Sequence, residues 1–261
     1  MKMLLSVFPL AAIMWLATLL VPQSTLPPTE KKGFATEAAP FAVVELFTSQ
    51  GCSSCPPADR QLALLKKAAE QKGTEVYALS FHVDYWNYLG WKDPFSAEAF
   101  SQRQYQYSDW LRARVYTPQM VVNGQTEFIG SRRNEAEAAV AKALNQTPAY
   151  RITTTATQTD RMLKINYSTS AAPTGDFIIA ALAQKEVKTA VKRGENHGKD
   201  LVHINVVRGF AQQPAAQEDA IEVLVPEDAT SLSEYELIVF TQNPKTGEIK
   251  SATRVALGQK L

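Results

Sequence analysis

Both cysteines of the chain, Cys52 and Cys55, lie two residues apart in Gln50-Gly51-Cys52-Ser53-Ser54-Cys55-Pro56-Pro57. Two thiols at this spacing can close and open a disulfide, and the attacking species in such exchange is a thiolate. A thiolate is favoured at a helix start, where unpaired N–H groups point outward and the macrodipole places partial positive charge. The spacing predicts Cys52 as the more exposed attacker and Cys55, one turn further in, as its partner. Ser53 and Ser54 add hydroxyl and backbone donors. Three other readings compete. Half of a structural zinc site requires a second Cys-x-x-Cys or a His-x-x-x-His, and none follows. A purely structural disulfide across so small a loop constrains little of the unfolded chain. Two inert buried thiols fit poorly with the flanking Gly, Ser and Pro.

The neighbouring elements must position the pair. Phe41–Thr48 is short, apolar and β-branched, as a buried strand is. After the motif, Leu62, Leu64, Leu65 and Ala68 or Ala69 recur at helical spacing up to Gly73, a helix stop. Pro56 and Pro57 suit its first turn. Glu75–Val83 is a second strand, and strand–helix–strand predicts a right-handed parallel unit. Both strands then end on one edge, which brings His82 and Asp84 toward Cys52. Tyr85–Pro94 is an aromatic loop. Ser96–Arg112 reads as a helix, with Phe100, Tyr107 and Leu111 on one face and Arg103 and Gln104 elsewhere. Thr117-Pro118 opens a short strand that ends in Asn123-Gly124, a hairpin signal. Thr126–Ile129 is its partner, and Arg133–Leu144 a third helix.

This order, β-α-β-α-β-β-α over about Phe41–Gln146, with Cys-x-x-Cys after the first strand and Thr-Pro before the third, resembles the thioredoxin fold. The resemblance implies that Pro118 is cis and lies against the cysteines, and that Thr117 offers backbone pairing to an extended peptide. A closer resemblance runs through Glu45–Asp59, Phe81–Trp86, Leu89–Phe95 and Tyr116–Met120. It is to a bacterial family of exported thioredoxin-like proteins catalogued as a domain of unknown function. The chain departs from ordinary thioredoxins at Gly51, where they usually carry Trp. Ser53-Ser54 replaces both the Gly-Pro of thioredoxin and the Pro-His of strong periplasmic oxidants. Without a His between the cysteines, a moderate or reducing potential is expected. The loop residues Tyr85, Trp86 and Trp91 either cover the site and contact substrate, as the missing Trp would, or form a local apolar cap.

The chain has 261 residues, 45% hydrophobic and 20% charged, as an ordinary globular protein does. A net charge of +1 gives no sign of a nucleic-acid partner. Lys2 precedes an apolar run from Met3 to Val21, the layout of an export signal or an uncleaved anchor. We read residues 1–22 as that segment, 23–40 as a flexible linker, 41–147 as an α/β thioredoxin-like domain and 148–261 as a β-rich, sandwich-like domain. In the last part Arg151–Thr159, Met162–Ser168, Asp176–Ala183, Asp200–Val207, Ala220–Val225 and Glu234–Thr241 read as strands. The run Lys192–Gly198, with His203 and Arg208, is either a site or a polar hairpin.

These readings predict a periplasmic or otherwise extracytoplasmic thiol-disulfide oxidoreductase. Its partners are a protein thiol or disulfide and a redox partner, with membrane contact only through the N-terminal segment. The candidate catalytic residues are Cys52, Cys55 and Pro118, with His82 or Asp84 relaying a proton; Thr117, Tyr85, Trp86 and Trp91 are the candidate substrate contacts. No cofactor is expected beyond the Cys52–Cys55 disulfide, and no resident metal. The alternative is a Cu(I) carrier, since Cys52, Cys55 and His82 are soft ligands, although the Thr-Pro motif would crowd the metal. A third reading keeps the fold as a mere scaffold for binding.

Overall fold

The structure, a computed structural model, describes residues 38–257. The N-terminal signal or anchor lies outside them, as does most of the linker. Among the described residues no helix is long and apolar enough to cross a membrane.

The first half forms the expected elements. β1 (Phe41–Thr48) and β2 (Glu75–His82) pair in parallel, with Thr48 opposite His82. α1 (Pro56–Lys72) joins them and stops at Gly73, whose φ of +64° suits a residue without a Cβ. α2 (Glu98–Leu111) is followed by the hairpin of β3 (Gln119–Val122) and β4 (Thr126–Ile129), then by α3 (Arg133–Ala143). Asn123 and Gly124 both take positive φ at the hairpin turn.

The strands that follow are β5 (Ile152–Thr159), β6 (Met162–Thr169), β7 (Phe177–Ala190), β8 (Asp200–Pro214), β9 (Glu218–Leu224), β10 (Tyr235–Gln242) and β11 (Ile249–Val255). Here one expectation is overturned. The chain does not form an α/β thioredoxin-like fold followed by a β-rich, sandwich-like one. β7, β8, β10 and β11 continue the sheet of the first half. The result is a mixed eight-stranded sheet in the order β11-β10-β7-β8-β2-β1-β3-β4, with β5, β6 and β9 in a second, three-stranded sheet. Among the described residues there are three α-helices against eleven strands.

The physical reason is burial on two faces. β5 and β6 alternate buried and open positions, as strands with one wet face do. β10 is buried along its whole length, and so is Ile178–Ala183 of β7. Side chains on a strand alternate between faces, so such a run needs cover on both. Ile178, Ala180 and Leu182 pack with Leu163, Ile165, Ile221 and Val223 of the smaller sheet. Ile179, Ala181 and Ala183 join Phe47, Phe81, Phe100 and Tyr107, under α2. The helices α1 and α3 cover Val44, Leu46 and Val122. Thus α2 lies across strands from both halves.

The seam between the halves is narrow. β2 and β8 are in parallel register only at Ser80 and Val206. The neighbouring Asn205 takes a φ of +47°. Its side chain then does what a ladder would: Nδ2 donates to the carbonyl of Ala78 at 2.9 Å and to Glu236 at 2.5 Å. Lys66 of α1 donates to Asn205 at 2.8 Å and to Glu236 at 3.0 Å.

Under α2, Arg103 and Gln104 are buried, whereas the helical pattern placed them off the apolar face. Arg103 Nε donates to Glu45 Oε1 at 2.6 Å, and its other nitrogens donate to Gln242 at 3.1 Å and Tyr107 at 3.1 Å. Tyr107 also donates to Glu45. Removing one member of such a pair leaves a buried charge alone. Arg103→Met is therefore expected to cost about 3–5 kcal/mol in denaturant unfolding, and Glu45→Leu combined with Arg103→Met less than that. A single-variant cost below about 1 kcal/mol contradicts the assignment.

Candidate functional site

The chain leaves β1 at Thr48, turns through Ser49-Gln50-Gly51 and enters α1 at Pro56. Cys52 lies in that turn, where its N–H donates to the Ser49 carbonyl at 3.1 Å. Cys55 is the residue just before the helix, and its carbonyl accepts from Ala58 at 2.8 Å and Asp59 at 3.1 Å. The two cysteines are joined in a disulfide, with Cα atoms 5.4 Å apart. Both sit at the positive end of α1, which favours a thiolate on reduction, while their complete burial disfavours one.

Cys52 is not the exposed member of the pair: both cysteines are 0% exposed. Thr117 Oγ1 donates to Cys52 Sγ at 3.4 Å, and Trp86 Nε1 donates to Thr117 Oγ1 at 2.7 Å. The Thr117–Pro118 peptide bond is cis. A Cβ on Gly51 would lie 3.2 Å from the Cβ of Trp86, so the glycine leaves room for this tryptophan. Trp86 thus covers the turn from the far side of the sequence. Trp91 Nε1 donates to Gln50 Oε1 at 3.0 Å.

A second cover comes from the turn between β7 and β8, the run that read either as a site or as a polar hairpin. Asn196 is buried, and its Nδ2 donates to the carbonyls of Gln50 at 2.9 Å and Cys52 at 2.8 Å. Glu195 accepts from the Ser53 N–H at 2.9 Å. Hydrogen bonds from Ser53, side chain and backbone, hold the Glu195 carboxyl below the usual carboxylate range.

Beneath the motif lie two imidazole–carboxylate pairs. His82 Nδ1 is 2.7 Å from Asp93 Oδ2, which also accepts from the Gln50 N–H at 2.8 Å. Burial works against the Asp93 charge, but His82 and the N–H groups of Gln50 and Phe95 outweigh it and hold its carboxyl below the usual range. His203 of β8 faces His82, ring centroids 4.7 Å apart, and its Nδ1 is 3.5 Å from Asp59 Oδ1. That separation is a charge contact rather than an aligned hydrogen bond.

The structure therefore gathers Cys52, Cys55, Thr117, Pro118, Trp86 and Trp91 around one turn, with His82 reaching it through Asp93. It does not bring Asp84 there, while the Tyr85 hydroxyl lies at the edge of the site, within hydrogen-bonding reach of the Thr117 side chain. Asp84 accepts from Ser101 of α2 at 2.5 Å, and Tyr85 donates to Gln104 at 2.9 Å. Burial pushes the Tyr85 hydroxyl up to about 12. Among the described residues no three His, Cys, Asp or Glu side chains converge as a metal ligand set. Sequence reasoning gave Asp59 and Asp93 no role, and Glu195 and Asn196 entered it only within the run Lys192–Gly198, read either as a site or as a polar hairpin. Asp59 had a signal, its i+4 spacing from Cys55; Asn196 had only its place in a Gly-flanked turn.

Two outcomes follow from this geometry. Asn196→Ala leaves the Gln50 carbonyl without its donor and the Cys52 carbonyl with only the Cys55 N–H, 3.3 Å away, and loosens the cover. It is expected to cost about 1–3 kcal/mol and to speed reduction of the disulfide by dithiothreitol about tenfold; an unchanged rate contradicts the role. For His203, burial opposes the charge, but Asp59, with a smaller contribution from Asp93, outweighs it and raises the imidazole pKa. A raised pKa adds stability that is full below the unfolded value of about 6.5 and fades as pH rises through the folded one. His203→Gln should then lower Tm more at about pH 5.5 than at about pH 9, and an equal loss at both contradicts it.

The chain matches the pattern of a family described as protein of unknown function (DUF1223) over residues 43–242. No curated protein matches it. A crystal structure of a protein from Agrobacterium tumefaciens is similar, with 28% identity and a TM-score of 0.59, over 87% of this chain and 99% of that one. HBP35 of Porphyromonas gingivalis is similar in fold at 15% identity and a TM-score of 0.59, over 84% of this chain and 75% of that one. The family match spans most of the sequence and includes the Cys-x-x-Cys turn, Thr117-Pro118 and the β7–β8 cover, so the chain belongs to the DUF1223 family.

Proposed function

We propose that the protein is an extracytoplasmic thiol-disulfide oxidoreductase. The observation that carries this reading is the Cys52–Cys55 disulfide before a helix start, with Thr117 donating to Cys52 Sγ and Pro118 cis beside it. Cys-x-x-Cys combined with Thr-Pro is the motif pair of the thioredoxin-like superfamily. The kinship we propose is one of site and not of fold. Lys2 and the apolar run Met3–Val21 support export, and a disulfide persists outside the cytosol.

In this reading an external thiolate attacks Cys52 Sγ. The Cys52–Cys55 bond breaks, its electron pair goes to Cys55, and a mixed disulfide forms at Cys52. Cys55 then attacks Cys52 Sγ and releases the partner, or a second external thiol reduces the mixed disulfide. Cys52 is the attacked sulfur because Thr117 lies on its side. The partner is a protein thiol or disulfide that must displace Trp86 or the β7–β8 turn, since neither sulfur is exposed. A second redox protein sets the direction of electron flow.

Burial disfavours a thiolate, and no imidazole stands between the cysteines, so the reduced form gains no large stabilisation. Equilibration in glutathione or dithiothreitol buffers is expected to give a potential nearer about −270 mV than about −120 mV. Cys52→Ser must abolish the exchange. Failure of the wild-type pair to cycle reversibly, or exchange that survives in Cys52→Ser, removes this reading.

A further inference from the structure

Opening the disulfide creates a problem of charge. The electron pair left on Cys55 sits on a sulfur with no exposed surface. A thiolate held there without a proton is costly, and bulk water does not reach it in the closed site. A proton has to be kept nearby.

The interior under the motif has the groups to keep one. Asp59 follows Cys55 by one helical turn, and the hydrogen bond from its N–H to the Cys55 carbonyl keeps helical spacing between them. Side chains so spaced stand on the same face, with Cβ atoms about 5–6 Å apart. Thr48 donates to Asp59 Oδ1 at 2.9 Å, while Oδ2 has no partner. His203 Nδ1 lies 3.5 Å from that carboxylate, and neither of its ring nitrogens makes a hydrogen bond. His82 Nε2 and Ser80 Oγ, on the same face of β2, are unpartnered as well. Buried polar atoms left without partners are rare, because each is costly. Their concentration behind Cys55 calls for a purpose.

We propose that Asp59 and His203 are the proton store of the Cys55 thiol, Asp59 passing the proton and His203 holding it. The proposal rests on the redox reading above. When an external thiolate opens the disulfide, the electron pair goes to Cys55. The proton moves from the His203 imidazolium through Asp59 to that sulfur. Cys55 is left as a thiol, His203 neutral and Asp59 a carboxylate. On closure the pair takes the proton back. Cys55 attacks Cys52 Sγ of the mixed disulfide, and the external thiolate leaves. The groups facing His203 are Asp59 from α1, His82 from β2 and Asp93 from the aromatic loop, and His82 already has Asp93 as its own partner.

The test uses the reduced protein and dithiobis(nitrobenzoate). The first chromophore is released when Cys52 forms the mixed disulfide, the second when Cys55 attacks it. Asp59→Asn and His203→Gln are each expected to slow the second release at least about tenfold near pH 7. The rate should recover at about pH 9, above the free-thiol value of about 8.5. A second release unchanged near pH 7, or slowed equally at both pH values, overturns the proposal while leaving the redox reading in place. Absence of the first release in the wild type removes both. Should both variants unfold, the wild-type pH profile decides. Release that stays fast well below about pH 8.5 supports the store, and release that falls about tenfold per pH unit below it overturns the store.

Discussion

A guanidinium held between a carboxylate and four aromatic rings decides where the second helix lies. Arg103 stands 5.1–5.6 Å from the ring centroids of Phe81, Tyr107, Phe210 and Phe240 while it pairs with Glu45. Burial penalises its charge, but Glu45 outweighs that penalty and raises the pKa, so the arginine stays protonated. Burial also pushes the Tyr107 hydroxyl well above its usual value, so it remains a donor. These rings come from β2, α2, β8 and β10. The charge can be satisfied only if strands from both halves of the chain lie under the same helix, so the pair specifies the long sheet as much as it stabilises it.

The continuity of that sheet gives the site its composite nature. The first half supplies the cysteines, the Thr-Pro turn and the aromatic loop. The second supplies Asn196, Glu195 and His203, all from one hairpin whose strands run past the rest of the sheet. The narrow β2–β8 seam lets the hairpin approach α1 without a full ladder, and Asn205 bridges the gap with a side chain.

The first half was legible because its signals are local. Alternation, Gly73, Asn123-Gly124 and the proline pair each act within a few residues, and the parallel pairing of β1 and β2 followed from them. The eight-stranded sheet was less legible, although part of its signal was present. The runs Ile178–Ala183 and Leu237–Phe240 are apolar without alternation, which marks strands covered on both faces rather than the strands of a small sandwich. The buried polar side chains of α2 are a different case. Arg103 and Gln104 were placed off the apolar face because their partners, Gln242 at 3.1 Å and Gln119 at 2.9 Å, are far along the chain or in an unremarkable strand. Cys52 looked exposed because the residues that bury it lie in segments that local periodicity cannot place.

The contact between Asn196 and the carbonyl of Cys52 spans 144 positions of sequence. A polypeptide grows from its amino end, so the two sulfurs emerge long before the side chain that shuts them in. For that interval they belong to an open turn, reachable by any oxidant. The disulfide can thus be set during biogenesis by an encounter that, unlike one with the finished molecule, has no cover to displace.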